Sequence, residues 1–264
     1  ALRDSAGRVE GGIGCLVDLS TPFPQMQAEL ARKAKELERS NAELEQFAYV
    51  ASHDLQEPLR MIRGYLGLLE KAHAQDFDEK SKDFMRFAMD GADRMQRMIK
   101  DVLAYSRVSD STAQLVIVPA QDAIAEAMAN LRTKIDENAA VITCGDLPEV
   151  MFDRLHLVQI FQNLMSNAIT YRSAEPPAIA ISAVGHAHEW EFIVRDNGIG
   201  IDPEHQQKIF KIFQRLHSRT EYPGSGIGLA ICKKSIERWG GRIWVSSAPA
   251  RGSEFHFTIP RHDI

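Results

Sequence analysis
Residues 47–61 read FAYVASHDLQEPLRM, a helix-forming stretch in which His53 and Asp54 stand ahead of Pro58. Leu30, Leu37, Leu44 and Ala51 recur every seven residues, and Ala34, Asn41, Ala48, Leu55, Ile62 and Leu69 form a second seven-residue series offset by four. Together they predict the a/d seam of a coiled coil that runs into a helical bundle. In that register His53 takes an f position, facing water, where its imidazole is open to a reagent from outside. An exposed histidine taken alone is more often a plain surface residue. Pro58 has no N–H, so the Asp54 carbonyl loses its helical partner and a bend is expected beside the histidine.

Upstream of this stretch, residues 25–46 carry Glu29, Lys33, Glu36 and Glu43 on the outer positions, while Asn41 falls at an a position. One buried polar residue in a seam costs stability but favours a single register and a dimer. A parallel two-chain coiled coil is expected; a single amphipathic helix docked on its own domain is the alternative. Residues 1–20 read as two short strands around the turn Asp4-Ser5-Ala6-Gly7, too little chain to bury a core. Downstream, residues 71–80 (KAHAQDFDEK) form a polar connection. Phe84, Ala88, Gly91, Met95, Met98, Val102 and Tyr105 then follow at alternating spacings of four and three, which predicts a second helix with its own apolar stripe. A hairpin of two such helices cannot cover both stripes, so two chains pairing as a four-helix bundle is the expected solution.

The composition excludes several classes. With 44% apolar and 25% charged residues the chain is ordinary globular protein, and 264 residues suggest about two domains. A net charge of -5 gives no case for nucleic acid or an anionic membrane as the principal partner. Cys15, Cys144 and Cys232 are odd in number and lack CxxC spacing, which argues for a reducing compartment and against a disulfide frame or a zinc site. No apolar run reaches the ~18 residues of a membrane span, so a cytoplasmic location is expected.

Residues 108–113 (VSDSTA) read as a linker. Beyond it the pattern predicts a strand at 114–118, a helix over about 120–137, a short strand near 140–143, a helix over about 153–171 and strands at about 178–183 and 189–195. A long irregular stretch follows, then a helix over about 226–239 and strands near 242–246 and 253–259. This order makes an α/β two-layer sandwich, one sheet with helices on one face.

Several residues here carry chemistry. Asn163 and Asn167 are i and i+4 and share a helix face, with Ile160, Phe161, Leu164 and Ala168 opposite. Two neutral amides can offer oxygens to a hard cation that keeps most of its waters. Asp196-Asn197-Gly198-Ile199-Gly200 ends an apolar strand. An aspartate there can accept a hydrogen bond from an exocyclic amine such as adenine's, and the glycines let a flat ligand approach the main chain; an ordinary strand-ending turn is the alternative. Gly224, Gly226 and Gly228 lead into a helix, where bare N–H groups form an anion cradle. The pattern is neither a P-loop nor a dinucleotide fingerprint. Residues 209–222, with Phe210, Phe213, Arg215 and Arg219, read as a lid.

Taken in order, HDLQEP at His53, NLMSNA at 163–168, DNGIG at 196–200, IFKIFQRLH at 209–217 and GSGIGLA at 224–230 resemble the phosphoacceptor, asparagine, first glycine, phenylalanine and second glycine motifs of sensor histidine kinases. The resemblance covers about 41–260, and its phosphoacceptor segment is most similar to PAS-linked and phytochrome-type members. RDSAGRVEGGIGCLVDLS resembles the end of a PAS sensor domain. The resemblance implies a helical-hairpin dimerisation domain, a four-helix bundle as a dimer, followed by the ATP-binding fold shared with gyrase and heat-shock chaperones. It divides the chain into the end of a sensor domain (1–20), a signalling coiled coil (21–46), a dimerisation and histidine phosphotransfer domain (47–108) and a catalytic domain (109–264).

It also implies roles. His53 matches the phosphoacceptor and Asp54 the acid that orients or deprotonates it. Asn167 matches the chief Mg²⁺ ligand, with Asn163 in support. Asp196 matches the adenine reader; Gly198 and Gly200 the close-approach glycines; Gly224, Gly226 and Gly228 the phosphate loop. Tyr171, Arg172, Phe213, Ser225 and Leu229 are assigned to the nucleotide site, and Arg215 to charge on the transferring phosphoryl. The implied cofactors are ATP and Mg²⁺; the implied partners are a second copy, an upstream sensor and a response regulator. Two positions depart from the family. Thr170 stands where a lysine is usual, with Arg172 as a possible substitute, which suggests weakened or differently tuned kinase activity; Glu57 replaces the Thr or Asn of phosphatase-competent members, which suggests weak phosphatase activity. The rival readings are a nucleotide-binding pseudokinase scaffold and an ATP-hydrolysing machine of the gyrase type.

Overall fold
The computed structural model describes residues 22–73, 77–108, 114–216, 222 and 224–261, with the side chains at 22–25, 34, 37, 38, 40–49, 51, 53 and 73 outside the description. The strands expected over 1–20 and the linker at 109–113 lie outside the described residues, as does side-chain pairing across Leu37, Asn41, Leu44 and Ala48. The chain divides into two compact units between Phe47 and Ala48.

Helix α1 runs Pro22–His73 and keeps Pro58 inside it without ending there. Helix α2, Glu79–Arg107, starts at Asp78, whose carboxylate accepts the Ser81 N–H at 2.8 Å. In the second unit, Arg63 of α1 meets Asp93 of α2 at 2.8 Å. The apolar stripes expected to pair with another chain are uncovered in a single chain: Leu55, Ile62 and Leu69 on α1 and Phe84 and Met95 on α2 are all exposed.

The remaining α-helices and strands are β1 (Val116–Pro119), α3 (Ala120–Asn130), α4 (Arg132–Glu137), β2 (Val141–Cys144), β3 (Glu149–Phe152), α5 (Arg154–Thr170), β4 (Ala178–Gly185), β5 (Glu189–Asp196), α6 (Gly228–Arg238), β6 (Ile243–Ser247) and β7 (Ser253–Pro260). The main sheet has the order β2-β4-β5-β7-β6, with β2 parallel to β4 and every other pair antiparallel. Alternation along the strands buries one face: Ile179 and Ile181 of β4 and Phe192 and Val194 of β5 point into the core while Ala178, Ala180 and Ser182 stay exposed. Against that face α5 lays Phe161, whose ring packs edge-on to Phe192 and Phe257 at 5.8 and 5.6 Å.

Two details differ from the sequence reading. The helix expected over 120–137 is broken at Leu131, whose backbone (φ -100°, ψ 5°) leaves the helix as its side chain enters the core. A strand that was not expected, β3, pairs antiparallel with β1 in a separate two-stranded sheet; four residues are too few for alternation to stand out.

Candidate functional site
Helix α5 begins where the Asp153 carboxylate accepts the His156 N–H at 2.9 Å. From that start its period sends Ile160, Phe161, Leu164 and Ala168 into the core and turns Asn163, Ser166, Asn167 and Thr170 toward a cavity of about 610 Å³. The Asn163 amide is committed to the protein: its Nδ2 donates to the Gly228 carbonyl at 3.1 Å, and its Oδ1 accepts from Gln159 Nε2 at 3.2 Å. Asn163 therefore ties α5 to the start of α6. Among the described residues no hydrogen bond engages the Asn167 side chain, which leaves its oxygen available to a ligand.

Asp196 ends β5 in the middle of the sheet, with β4 and β7 on either side. Its Oδ1 accepts the N–H groups of Gly198 at 2.8 Å and Ser253 at 3.2 Å. Burial pushes its pKa above the ordinary 3.8, and the two N–H groups counter part of that rise. Gly198 does not line the cavity. A Cβ there would run into the Tyr171 carbonyl, so backbone packing alone already requires a glycine at this position. Gly200, at φ 74°, does line the cavity and lies against the Ala248 carbonyl.

The glycine loop leads into α6, whose N-cap is Ile227 and whose first turn receives no side-chain cap. Its N–H groups thus remain available to an anion. Gly226, at φ 77°, passes between the backbone of Phe213 and Gln214 and the Arg215 side chain. Arg215 donates Nη1 to the Gly224 carbonyl at 2.6 Å and Nη2 to the Tyr222 carbonyl, so its guanidinium ties residue 215 to the backbone at the start of the glycine loop.

The cavity brings together Asn163, Asn167, Tyr171, Asp196 and Gly200 with Arg215, Gly224, Ser225, Gly226, Gly228 and Leu229 from the other side. Arg172 is exposed and absent from the wall, and Phe213 is 55% exposed on the lid. Asp54 is exposed on α1, and the His53 side chain lies outside the described residues. Two contributions escaped the sequence reading. Helix α2 lends Arg94, Arg97 and Asp101 to the wall, and α4 lends Lys134, whose Nζ donates to Thr170 Oγ1 at 2.6 Å. The i, i+3, i+7 spacing of those α2 residues was visible, but nothing local said what they would face.

Two family models match this chain in tandem: the His Kinase A (phospho-acceptor) domain over residues 43–111, and the histidine kinase-, DNA gyrase B- and HSP90-like ATPase over residues 152–263. The adaptive-response sensory kinase SasA of Crocosphaera subtropica is 31% identical over 257 residues, 92% of this chain and 67% of that protein. The chain belongs to the sensor histidine kinase family. Within this family it is also similar to phytochrome-like protein Cph1 of Synechocystis, 49% identical over 88% of this chain and 31% of that protein. It thus spans about a third of the length of such phytochrome-like relatives. A solved structure of histidine kinase ThkA in complex with response regulator protein TrrA is similar over 89% of this chain and 66% of that one, with a TM-score of 0.57 and 26% identity.

The cavity of this family member fits a nucleotide. Its volume is that of a small-molecule site, with a partly buried carboxylate at a strand end, a free amide and an uncapped helix start among its walls. For magnesium it offers Asn167 together with a ligand's own oxygens; among the described residues no three carboxylate, imidazole or thiolate groups gather to hold a metal by themselves. Full burial pushes the Cys232 thiol up to about 12, against the lowering effect of its hydrogen bond with Asn163.

Proposed function
We propose that this chain is the kinase core of a two-component signalling protein, which binds Mg²⁺-ATP in the α5–α6 cavity, phosphorylates its own His53 and passes the phosphoryl group to an aspartate of a response regulator. The observation that carries this reading is that one cavity gathers Asp196, Asn167 and the uncapped start of α6 in a chain that also carries the phosphoacceptor-domain match. ATP supplies the phosphoryl group, and Mg²⁺ held at Asn167 would offset its charge. Asp196 accepts from the adenine amine, Asn163 holds the α6 start in place, and the α6 N–H groups bind phosphate oxygens. At His53 a neutral imidazole nitrogen bonds to the γ-phosphorus as the bond to ADP breaks, and Asp54 takes or orients the imidazole proton. Arg215 steadies the lid and the phosphate loop together.

We further propose the division into a signalling coiled coil (21–46), a dimerisation and phosphotransfer domain (47–108) and a catalytic domain (109–264), working as a homodimer in the cytoplasm and driven by an upstream sensor. The uncovered apolar stripes of α1 and α2 support the dimer. The likeness to a kinase solved with a response regulator supports the acceptor. Among the described residues no helix is long and apolar enough to cross a membrane.

Incubation with γ-labelled ATP and Mg²⁺ tests the reading. Acid-labile, alkali-stable label is expected on the chain and none on His53→Gln. Absence of label from the unaltered chain despite nucleotide binding would point instead to a regulatory scaffold.

A further inference from the structure
Lys134 belongs to none of the motifs, yet its side chain reaches the cavity from α4. Its Nζ donates to the Ser166 carbonyl at 2.9 Å, to Ser166 Oγ at 2.8 Å and to Thr170 Oγ1 at 2.6 Å. All three acceptors are neutral, and no carboxylate stands within ion-pair distance among the described residues. The ammonium is half-buried, and that burial alone pushes its pKa down. Holding a desolvated cation on uncharged oxygens is costly, and a mere tie between α4 and α5 could use a neutral donor. Ser166 and Thr170 stand immediately before and one turn after Asn167 on α5, and Lys134 lines the same cavity as that amide. The other basic groups of the wall are placed differently: Arg215 is committed to two loop carbonyls, and Arg94 and Arg97 come from α2.

We propose that Lys134 is a phosphate-binding residue of this cavity, its ammonium held ready by Ser166 and Thr170 to meet the phosphate groups of a bound nucleotide. The proposal rests on the nucleotide reading above and adds to it a residue from outside the motif-bearing elements. Anionic oxygens arriving at Nζ would supply the charge that the three neutral acceptors lack, and one of the Ser166 contacts can yield to make room.

Calorimetric titration of the whole chain with ATP and with adenosine separates the possibilities. Lys134→Met should weaken ATP by about tenfold or more, the scale of one charge-assisted hydrogen bond, and leave adenosine unchanged. Adding Thr170→Lys, which brings an ammonium to the same spot from α5, should recover most of the lost ATP affinity. Equal weakening of ATP and adenosine would reduce Lys134 to a structural tie, and unchanged ATP affinity would overturn the proposal outright. An unaltered chain that binds neither ligand would remove the nucleotide site itself, a separate failure seen before any variant is made. A second measurement needs no substitution: acetylation of Lys134 by acetic anhydride, followed by peptide mass spectrometry, should be slowed by ATP and not by adenosine. Equal rates with both ligands count against phosphate contact.

Discussion
Asp196 carries the sharpest residue-scale expectation, because it is a partly buried carboxylate held only by backbone N–H groups. Asp196→Asn keeps an oxygen for Gly198 and Ser253 but loses the charge that draws an exocyclic amine. Titration calorimetry should show ATP affinity down by about tenfold or more while the melting temperature holds or rises slightly. The pH dependence has a definite sign. With its pKa raised above 3.8 on folding, Asp196 binds its proton more tightly in the native state. Its contribution to stability is therefore fully present below the unfolded pKa and is lost as pH rises through the folded one. Nucleotide affinity should run the other way, failing as pH falls through the raised pKa, earlier than an ordinary aspartate would cause.

The glycines offer a paired prediction. Gly198→Ala forces a methyl group onto the Tyr171 carbonyl and should cost about 1–3 kcal/mol in denaturant unfolding. Gly224→Ala meets nothing within 4 Å and should leave stability unchanged, so any loss of ATP affinity there belongs to the ligand contact.

Among the elements, the joint between α2 and α6 matters most, since α2 supplies part of the cavity wall. A small apolar cluster of Val108, Ile227 and Ile231 closes it, backed by Val102 and Tyr105. Lys234 donates to the Tyr105 carbonyl at 3.0 Å and lies over its ring, and Arg238 donates to the Val108 carbonyl. Ile231→Ala should cost about 2 kcal/mol, the low end for a buried isoleucine in so small a cluster. Hydrogen exchange should show protection lost over residues 102–108 while β4, β5 and β7 keep theirs. Uniform loss across the sheet would mean that the joint does not open separately.

For the whole molecule, the exposed apolar positions of α1 and α2 set the assembly. Leu55 and Ile62 are 54% and 48% exposed in one chain, a costly arrangement unless another helix covers them. Sedimentation should find a dimer, and the pair Leu55→Asp with Ile62→Asp should yield monomers that still bind ATP, because among the described residues none of α1 enters the cavity wall. Monomers that lose ATP binding would show that the catalytic domain depends on assembly.

Features legible in the chain are those whose physical cause is local. The heptads around His53 follow from helical period, the face shared by Asn163 and Asn167 from i, i+4 geometry, and the loop at Gly226 from a positive φ that glycine tolerates. These suffice for a helical hairpin followed by a sandwich with a glycine-rich loop at one helix start. The rest awaited packing. Gly198 has no room for a Cβ beside the Tyr171 carbonyl, 27 positions away in the chain. Arg172 follows the helix that bears the asparagines but turns to solvent, whereas Lys134 reaches Thr170 across 36 positions, and α2 lines a cavity built by the next domain. No periodicity encodes such meetings, because they exist only once separate elements share a core.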